Sequence, residues 1–241
     1  MTKGIALVTG ASAGIGAATA TALAEDGWTV HATARRLDRL EALAAKSSAI
    51  PHQIDVTDCA AMGDLIASTK PDLLVANAGL GGGMTGLTDA DADEIETVVH
   101  TNVTAMIQTT KAAMEGMAVR GRGHIITVGS VSGLYATGAA LYGATKHAVR
   151  GFVRNMRLDP GAAGIRFTDI QPGRVATEFY DVAVADDAVR DQIKDTGIEE
   201  LTPEDVAEAI RWVAAQPAHV NISALEITPR DQAYGGVKFT R

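Results

Sequence analysis

The stretch "IALVTGASAGIGAATATAL", Ile5 to Leu23, joins a short β-like run to a helical one through a turn that holds Gly10, Gly14 and Gly16. Glycine lets a backbone turn tightly and lets a bulky anion come close. The helix that follows leaves its first N–H groups without intrahelical partners, so a phosphate placed there meets both donors and the positive end of the dipole. The spacing is Gly-x-x-x-Gly-x-Gly. Set between strand and helix at the start of a βαβ series, it reads as a nucleotide-phosphate turn.

Outward from that turn the same alternation continues. Strand-like runs are Thr29–Thr33, His52–Val56, Asp72–Asn77, His124–Gly129, Arg166–Ile170 and Ala224–Thr228, after Ile5–Thr9. Several are almost continuously apolar, as strands covered on both faces should be. Ala-rich segments of helical length lie between them, such as Ala17–Ala24 and Asp58–Thr69. In "LTPEDVAEAIRWV", Thr202 is a helix N-cap, Pro203 suits the first turn, and Asp205 is an acid near the positive helix end. Seven β runs separated by helices predict an α/β, Rossmann-type, doubly wound fold: a seven-stranded parallel sheet with helices on both faces. No linker or repeat divides the chain, so residues 1–241 read as one domain. The long acidic connection from Gly173 to Leu201 is expected to be a lid, with 175–201 as its substrate-loop region.

Composition narrows the partners. With 21 Lys and Arg against 29 Asp and Glu, the formal charge is −8, which argues against nucleic-acid binding and a polybasic membrane patch. Hydrophobic residues at 46% and charged residues at 21% are the balance of a globular protein. The one cysteine, Cys59, allows neither an intrachain disulfide nor a zinc cluster, and His31, His52 and His124 make no metal-ligand spacing, so no metal is expected. No signal-peptide core and no membrane-spanning apolar run is visible, which makes the cytoplasm the expected compartment.

Two features speak to chemistry. The second strand ends "HATARR", where an acid would bind a ribose 2′-hydroxyl; Arg35 and Arg36 stand there instead and suit a 2′-phosphate. NADP(H) is therefore the expected cofactor. The second feature is "YGATK", where Tyr142 and Lys146 lie four apart and so on one face of a helix. A phenol titrates near 10, too high for a base near neutrality, and a neighbouring ammonium, together with the positive nicotinamide ring of the oxidised cofactor, favours the phenolate. "YGGVK" repeats the spacing with Tyr234 and Lys238, but its two glycines weaken a helix, so it reads as tail structure.

"TGASAGIG", Asp55–Val56, "NAG" at Asn77–Gly79, Asn102, Ser130, "YGATK" and Pro172–Gly173 occur together and in this order. The chain resembles the short-chain dehydrogenase/reductase family from end to end. That resemblance implies a nicotinamide cofactor and a catalytic set of Asn102, Ser130, Tyr142 and Lys146. Around the cofactor it places Gly10, Ser12, Gly14, Ile15 and Gly16 from the first turn, Arg35 and Arg36, then Asp55 and Val56. Asn77, Ala78 and Gly79 follow, with Tyr142, Lys146, Pro172, Gly173, Val175 and Thr177 at the nicotinamide end. It further implies that Ser130 and Tyr142 hold a small alcohol or carbonyl substrate, that Asn102 maintains a water-linked proton path, and that the chain forms a homotetramer. The C-terminal third is similar to NADP-dependent 3-hydroxy acid dehydrogenases, a group that includes serine 3-dehydrogenases, and this implies a small hydroxy acid or its carbonyl as substrate. Reductases of neutral ketones and of sulfonated or other aldehydes share this type of ending, so the substrate stays open. Arg174, after the Pro172–Gly173 turn, is the first candidate to meet such an anion, with Arg230 the second. "GGGM", Gly81 to Met84, is expected at the rim of the substrate pocket, and His147 is expected to be structural.

Overall fold

In the computed structural model, which describes residues 3–84 and 86–233, seven strands form one parallel sheet in the order β3-β2-β1-β4-β5-β6-β7. They are β1 (Ile5–Thr9), β2 (Thr29–Ala34), β3 (Ile50–Gln53), β4 (Leu73–Ala76), β5 (Gly123–Val128), β6 (Ile165–Pro172) and β7 (Ala224–Ile227). Nine α-helices are described: α1 (Gly14–Glu25), α2 (Leu37–Ser47), α3 (Cys59–Thr69), α4 (Ala92–Val99), α5 (Met106–Arg120), α6 (Ala140–Met156), α7 (Phe179–Ala183), α8 (Asp187–Lys194) and α9 (Pro203–Ala214). Tyr234 and Lys238 lie outside the described residues.

Both faces of the sheet are covered, as its apolar strands require. On one side Ala20, Leu23, Leu40, Val206, Ile210 and Val213 of α1, α2 and α9 pack on Ala6, Val8 and Val75. On the other, Met62, Leu65 and Ile66 of α3, Met117 of α5 and Val149 and Val153 of α6 pack on Leu7, Leu74 and Phe167. The central strand β4 is buried at all four positions. Helix α9 begins where "LTPED" predicts. Thr202 Oγ1 accepts from the Asp205 N–H, and the Asp205 carboxylate accepts from the Thr202 N–H at 2.7 Å, a reciprocal capping box.

The third strand corrects the sequence reading. It runs Ile50–Gln53 and not His52–Val56. Asp55 accepts hydrogen bonds from the Thr57 N–H and hydroxyl at 3.0 and 2.8 Å, and this turn takes the chain out of the sheet. Pro51 is tolerated because β3 pairs only with β2 and is an edge. From that edge the chain crosses back to β4 beside β1. The strand order therefore reverses between β1 and β4, and a crevice opens at their C-terminal ends. Among the described residues no helix is long and apolar enough to cross a membrane.

Candidate active site

The first turn is built as its glycines require. Gly10 and Gly14 have φ of 68° and 53°, a left-handed conformation that side chains rarely adopt. A Cβ on Gly16 would lie 2.3 Å from the Gly10 carbonyl oxygen, so helix and turn could not approach as they do with any other residue. The N-cap of α1, Ala13, has no side chain to cap the helix, and the first N–H groups stay open toward the crevice. Asn77 lines that crevice and is held in place from behind. Its amide donates to the carbonyls of Thr9 and Gly10 at 2.9 and 3.3 Å, while the Thr9 hydroxyl accepts from the N–H groups of Asn77 and Ala78. It ties β4 to the glycine turn.

At the end of β2, Arg36 donates to Ser12 Oγ through Nε and Nη2 at 3.1 and 2.9 Å, and it pairs with Glu178 at 2.5 Å. Arg39, which sequence reading passed over, holds the other oxygen of Glu178 at 2.7 Å. The Arg35 side chain is 65% exposed and stands 3.9 Å from the Asp55 carboxylate. Ser12, Arg35 and Arg36 thus converge beside an open helix N-terminus, a donor set that fits the 2′-phosphate and pyrophosphate of NADP.

Three of the four proposed catalytic residues, Ser130, Tyr142 and Lys146, gather at the other end of one cavity of about 730 Å³, within the range of a cofactor site, and Asn102 does not line it. Tyr142 and Lys146 face it from α6, and Ser130 faces it from the loop after β5. Ser130 Oγ accepts from the Ser132 N–H at 3.1 Å and shares the cavity wall with the Tyr142 phenol. Lys146 Nζ donates to the Val128 carbonyl at 2.8 Å and stands 5.5 Å from the centre of the Tyr142 ring. Withdrawal from water pushes the Tyr142 pKa up to about 12, against the pull of Ser130, and brings Lys146 down to about 8. In the protein alone desolvation of the phenol dominates, and the sequence argument draws on the positive nicotinamide ring as well as the ammonium.

Asn102 lies in a π-helical turn, His100–Ala105, a local widening often found at functional sites. Its side chain is fully engaged: Oδ1 accepts from the Leu80 N–H, and Nδ2 donates to the Leu80 carbonyl and to Thr145 Oγ1. The amide therefore fixes the backbone next to Gly79 and leaves no side-chain donor for a water path.

The connection after β6 folds over the cavity. A bridge between Val175 and Leu201 closes its neck, and the Phe179 ring in α7 packs tilted against Tyr142, ring centres 5.3 Å apart. Arg174 lines the cavity but is buried, and Glu200 (2.9 Å), the Ile193 carbonyl and the Tyr180 ring occupy its guanidinium. Arg230 does not line the cavity; it is exposed and paired with Asp231. Gly81 and Met84 do line it. Phe179, Tyr180 and Gln232 were missed from sequence, and Gln232 accepts from the Arg174 N–H at 2.8 Å. Two adjacent aromatics in a chain with only four Phe and four Tyr were the available signal for the first two. His147 bonds the Gly143 carbonyl on its own helix, and His31 and His52 bond each other at 2.8 Å across β2 and β3.

Comparison with known proteins agrees with this geometry. The family profile for short chain dehydrogenases matches residues 4–188. An NADP-dependent 3-hydroxy acid dehydrogenase of Salmonella typhi is 41% identical, over 98% of this chain and 99% of its own. A serine 3-dehydrogenase of Rhizobium radiobacter is 35% identical over 99% of both chains. The closed form of a serine dehydrogenase complexed with NADP+ superposes with a TM-score of 0.90 at 40% identity, over 98% of this chain and 99% of its own.

Proposed function

This chain belongs to the short-chain dehydrogenase family, and on that premise we propose that it interconverts a small 3-hydroxy acid and its carbonyl with Tyr142 as general acid and base. It is an NADP-dependent oxidoreductase acting on CH–OH groups. On this reading residues 1–241 work as one domain, with 175–201 closing over the substrate. The observation that carries it is the convergence of Ser130, Tyr142 and Lys146, with Lys146 Nζ 5.5 Å from the centre of the phenol ring, at one end of a cavity whose other end presents Ser12, Arg35 and Arg36.

NADP+, once bound, would supply the hydride acceptor and a positive charge. In oxidation the substrate hydroxyl gives its proton to the Tyr142 oxygen, while the Ser130 hydroxyl donates to the substrate oxygen. In reduction Tyr142 returns the proton. Each pKa unit by which the phenol must fall costs about 1.4 kcal/mol, which nearby positive charge is well placed to supply. The test is NADPH consumption, with NADH in parallel, over a panel of 3-oxo acids, aldehydes and neutral ketones. Failure to reduce any of them with NADPH would sink the reading.

A second reading, reduction of neutral carbonyls, is favoured by Glu200, which already answers the Arg174 charge. Wild type and Arg174→Met, each assayed with an acid and its neutral analogue, separate the two. A selective rise in KM for the acid supports a hydroxy acid, and equal effects support a neutral substrate. We also propose a cytoplasmic homotetramer with helices α5 and α6 in one interface. Val99 and Val119, 40% and 89% exposed before and along α5, support it, and light scattering after size exclusion tests it.

A further inference from the structure

Asp169 is a buried acid that the reaction above does not use. It stands on β6 and is 3% exposed. Thr127 Oγ1 donates to its Oδ1 at 2.9 Å, and Gln171 Nε2 donates to its Oδ2 at 2.7 Å. Among the described residues no ammonium or guanidinium pairs with it within 4.0 Å. Its carboxylate lies against Gly129, where a Cβ would come within 2.5 Å of Oδ1. Gly129 joins Val128, whose carbonyl holds Lys146, to Ser130. The carboxylate thus sits directly beneath the segment that positions both groups.

A buried carboxylate is costly without a nearby positive charge. The charged and titratable groups of the elements packed here are Tyr142, Lys146 and Arg150 on α6, and Glu226 on β7, which is engaged by the Tyr135 hydroxyl. His124 on β5 pairs with Thr168, the neighbour of Asp169 that alternates to the other sheet face. We propose that Asp169 is a positioning residue for the proposed reaction: the buried counter-charge that keeps Lys146 an ammonium. Burial draws the lysine down to about 8, and Asp169 is what opposes it. The proposal rests on the reading that Tyr142 and Lys146 serve the chemistry.

The test is Asp169→Asn, which keeps the shape: its Oδ1 still accepts from one of Thr127 and Gln171, and its Nδ2 donates to the oxygen of the other. The proton on Lys146 is followed directly by NMR titration of ¹³C-labelled lysine, with the signal assigned by its loss in Lys146→Met. The Lys146 midpoint is expected to fall by about one pH unit in Asp169→Asn and to stay in place in Thr127→Val, which keeps the charge. An unmoved or raised midpoint overturns the proposal. Should Asp169→Asn not fold, Asp169→Thr gives the same reading. NADPH-driven reduction across pH separates the two levels of the argument. Reduction requires the protons on both Tyr142 and Lys146, and loss of a buried negative charge lowers both proton affinities, so the alkaline limb of kcat moves to lower pH. A fallen midpoint with an unmoved limb would confirm the counter-charge and remove Lys146 from the rate, which refutes the site reading alone.

Discussion

Burial works against Tyr142 as a base and for it as an acid, since a phenol pushed up to about 12 keeps its proton until the site supplies positive charge. Tyr142→Phe should therefore lower kcat by roughly 10²–10⁴ and leave the dissociation constant for NADPH within a few-fold of wild type. Tyr234→Phe is the control, and comparable losses in the two variants would refute the assignment. The second residue with a pH consequence is His124. The Thr168 hydroxyl spends its proton on the Ile222 carbonyl, so the imidazole donates from Nε2, and its Nδ1 is buried without a partner among the described residues. Desolvation, aided by Arg166, lowers its pKa to about 3. The unfolded chain binds this proton from about pH 6.5 downward and the folded chain does not, so stability should fall by about 1.4 kcal/mol per pH unit between those values. Urea unfolding of wild type and His124→Gln across that range checks it; equal slopes would refute it. The Tyr142–Lys146 spacing was legible because a helix converts i and i+4 into one face. The raised phenol and the full engagement of Asn102 were not, because both depend on what surrounds a side chain after folding.

At the scale of elements, the glycine turn, six of the seven strands and the cap of α9 were readable because each has a local chemical cause. The edge strand β3 misled because "HQIDV" looks like a strand until the Asp55–Thr57 turn is considered. The partners of Arg36 were hidden for a different reason. Glu178 is distant in sequence, yet the connection after β6 delivers it to Arg36 and Arg39. Those bonds hold the Glu178 carboxylate below its usual range. A cofactor 2′-phosphate would seek the same Arg36 guanidinium, so the Glu178 carboxylate and the phosphate are like charges competing for one cation. Glu178→Gln should tighten NADPH several-fold and leave NADH unchanged, since a hydrogen bond to a charged group contributes about 1.5–3 kcal/mol. Calorimetric titration with both cofactors decides it. Unchanged NADPH affinity would mean that Glu178 swings to Arg39 and leaves Arg36 to the phosphate, and equal tightening of both cofactors would place its effect in the lid.

For the whole molecule, the charge of −8 sets the condition under which any anion reaches the cavity. The doubly wound topology gives one crevice where the strand order turns between β1 and β4, and both the anionic cofactor and an acid substrate must enter it. Composition alone revealed the net charge, but not that the cavity gathers Arg35, Arg36, Lys146 and Arg174 against it. These cations act over different ranges. Arg174 is buried and matched at 2.9 Å by Glu200, so its attraction is short-ranged, whereas the field of the whole chain reaches into solvent. Salt separates the two, because the screening length shrinks from about 30 Å at 0.01 M ionic strength to about 8 Å at 0.15 M. With NADPH saturating, KM for a 3-oxo acid should fall as salt rises across that range, since distant repulsion is screened first. KM for the neutral analogue should stay constant. A rise in KM for the acid would show that exposed cations at the mouth of the cavity dominate the encounter, and Arg35, with its side chain 65% exposed, would be the residue to neutralise next.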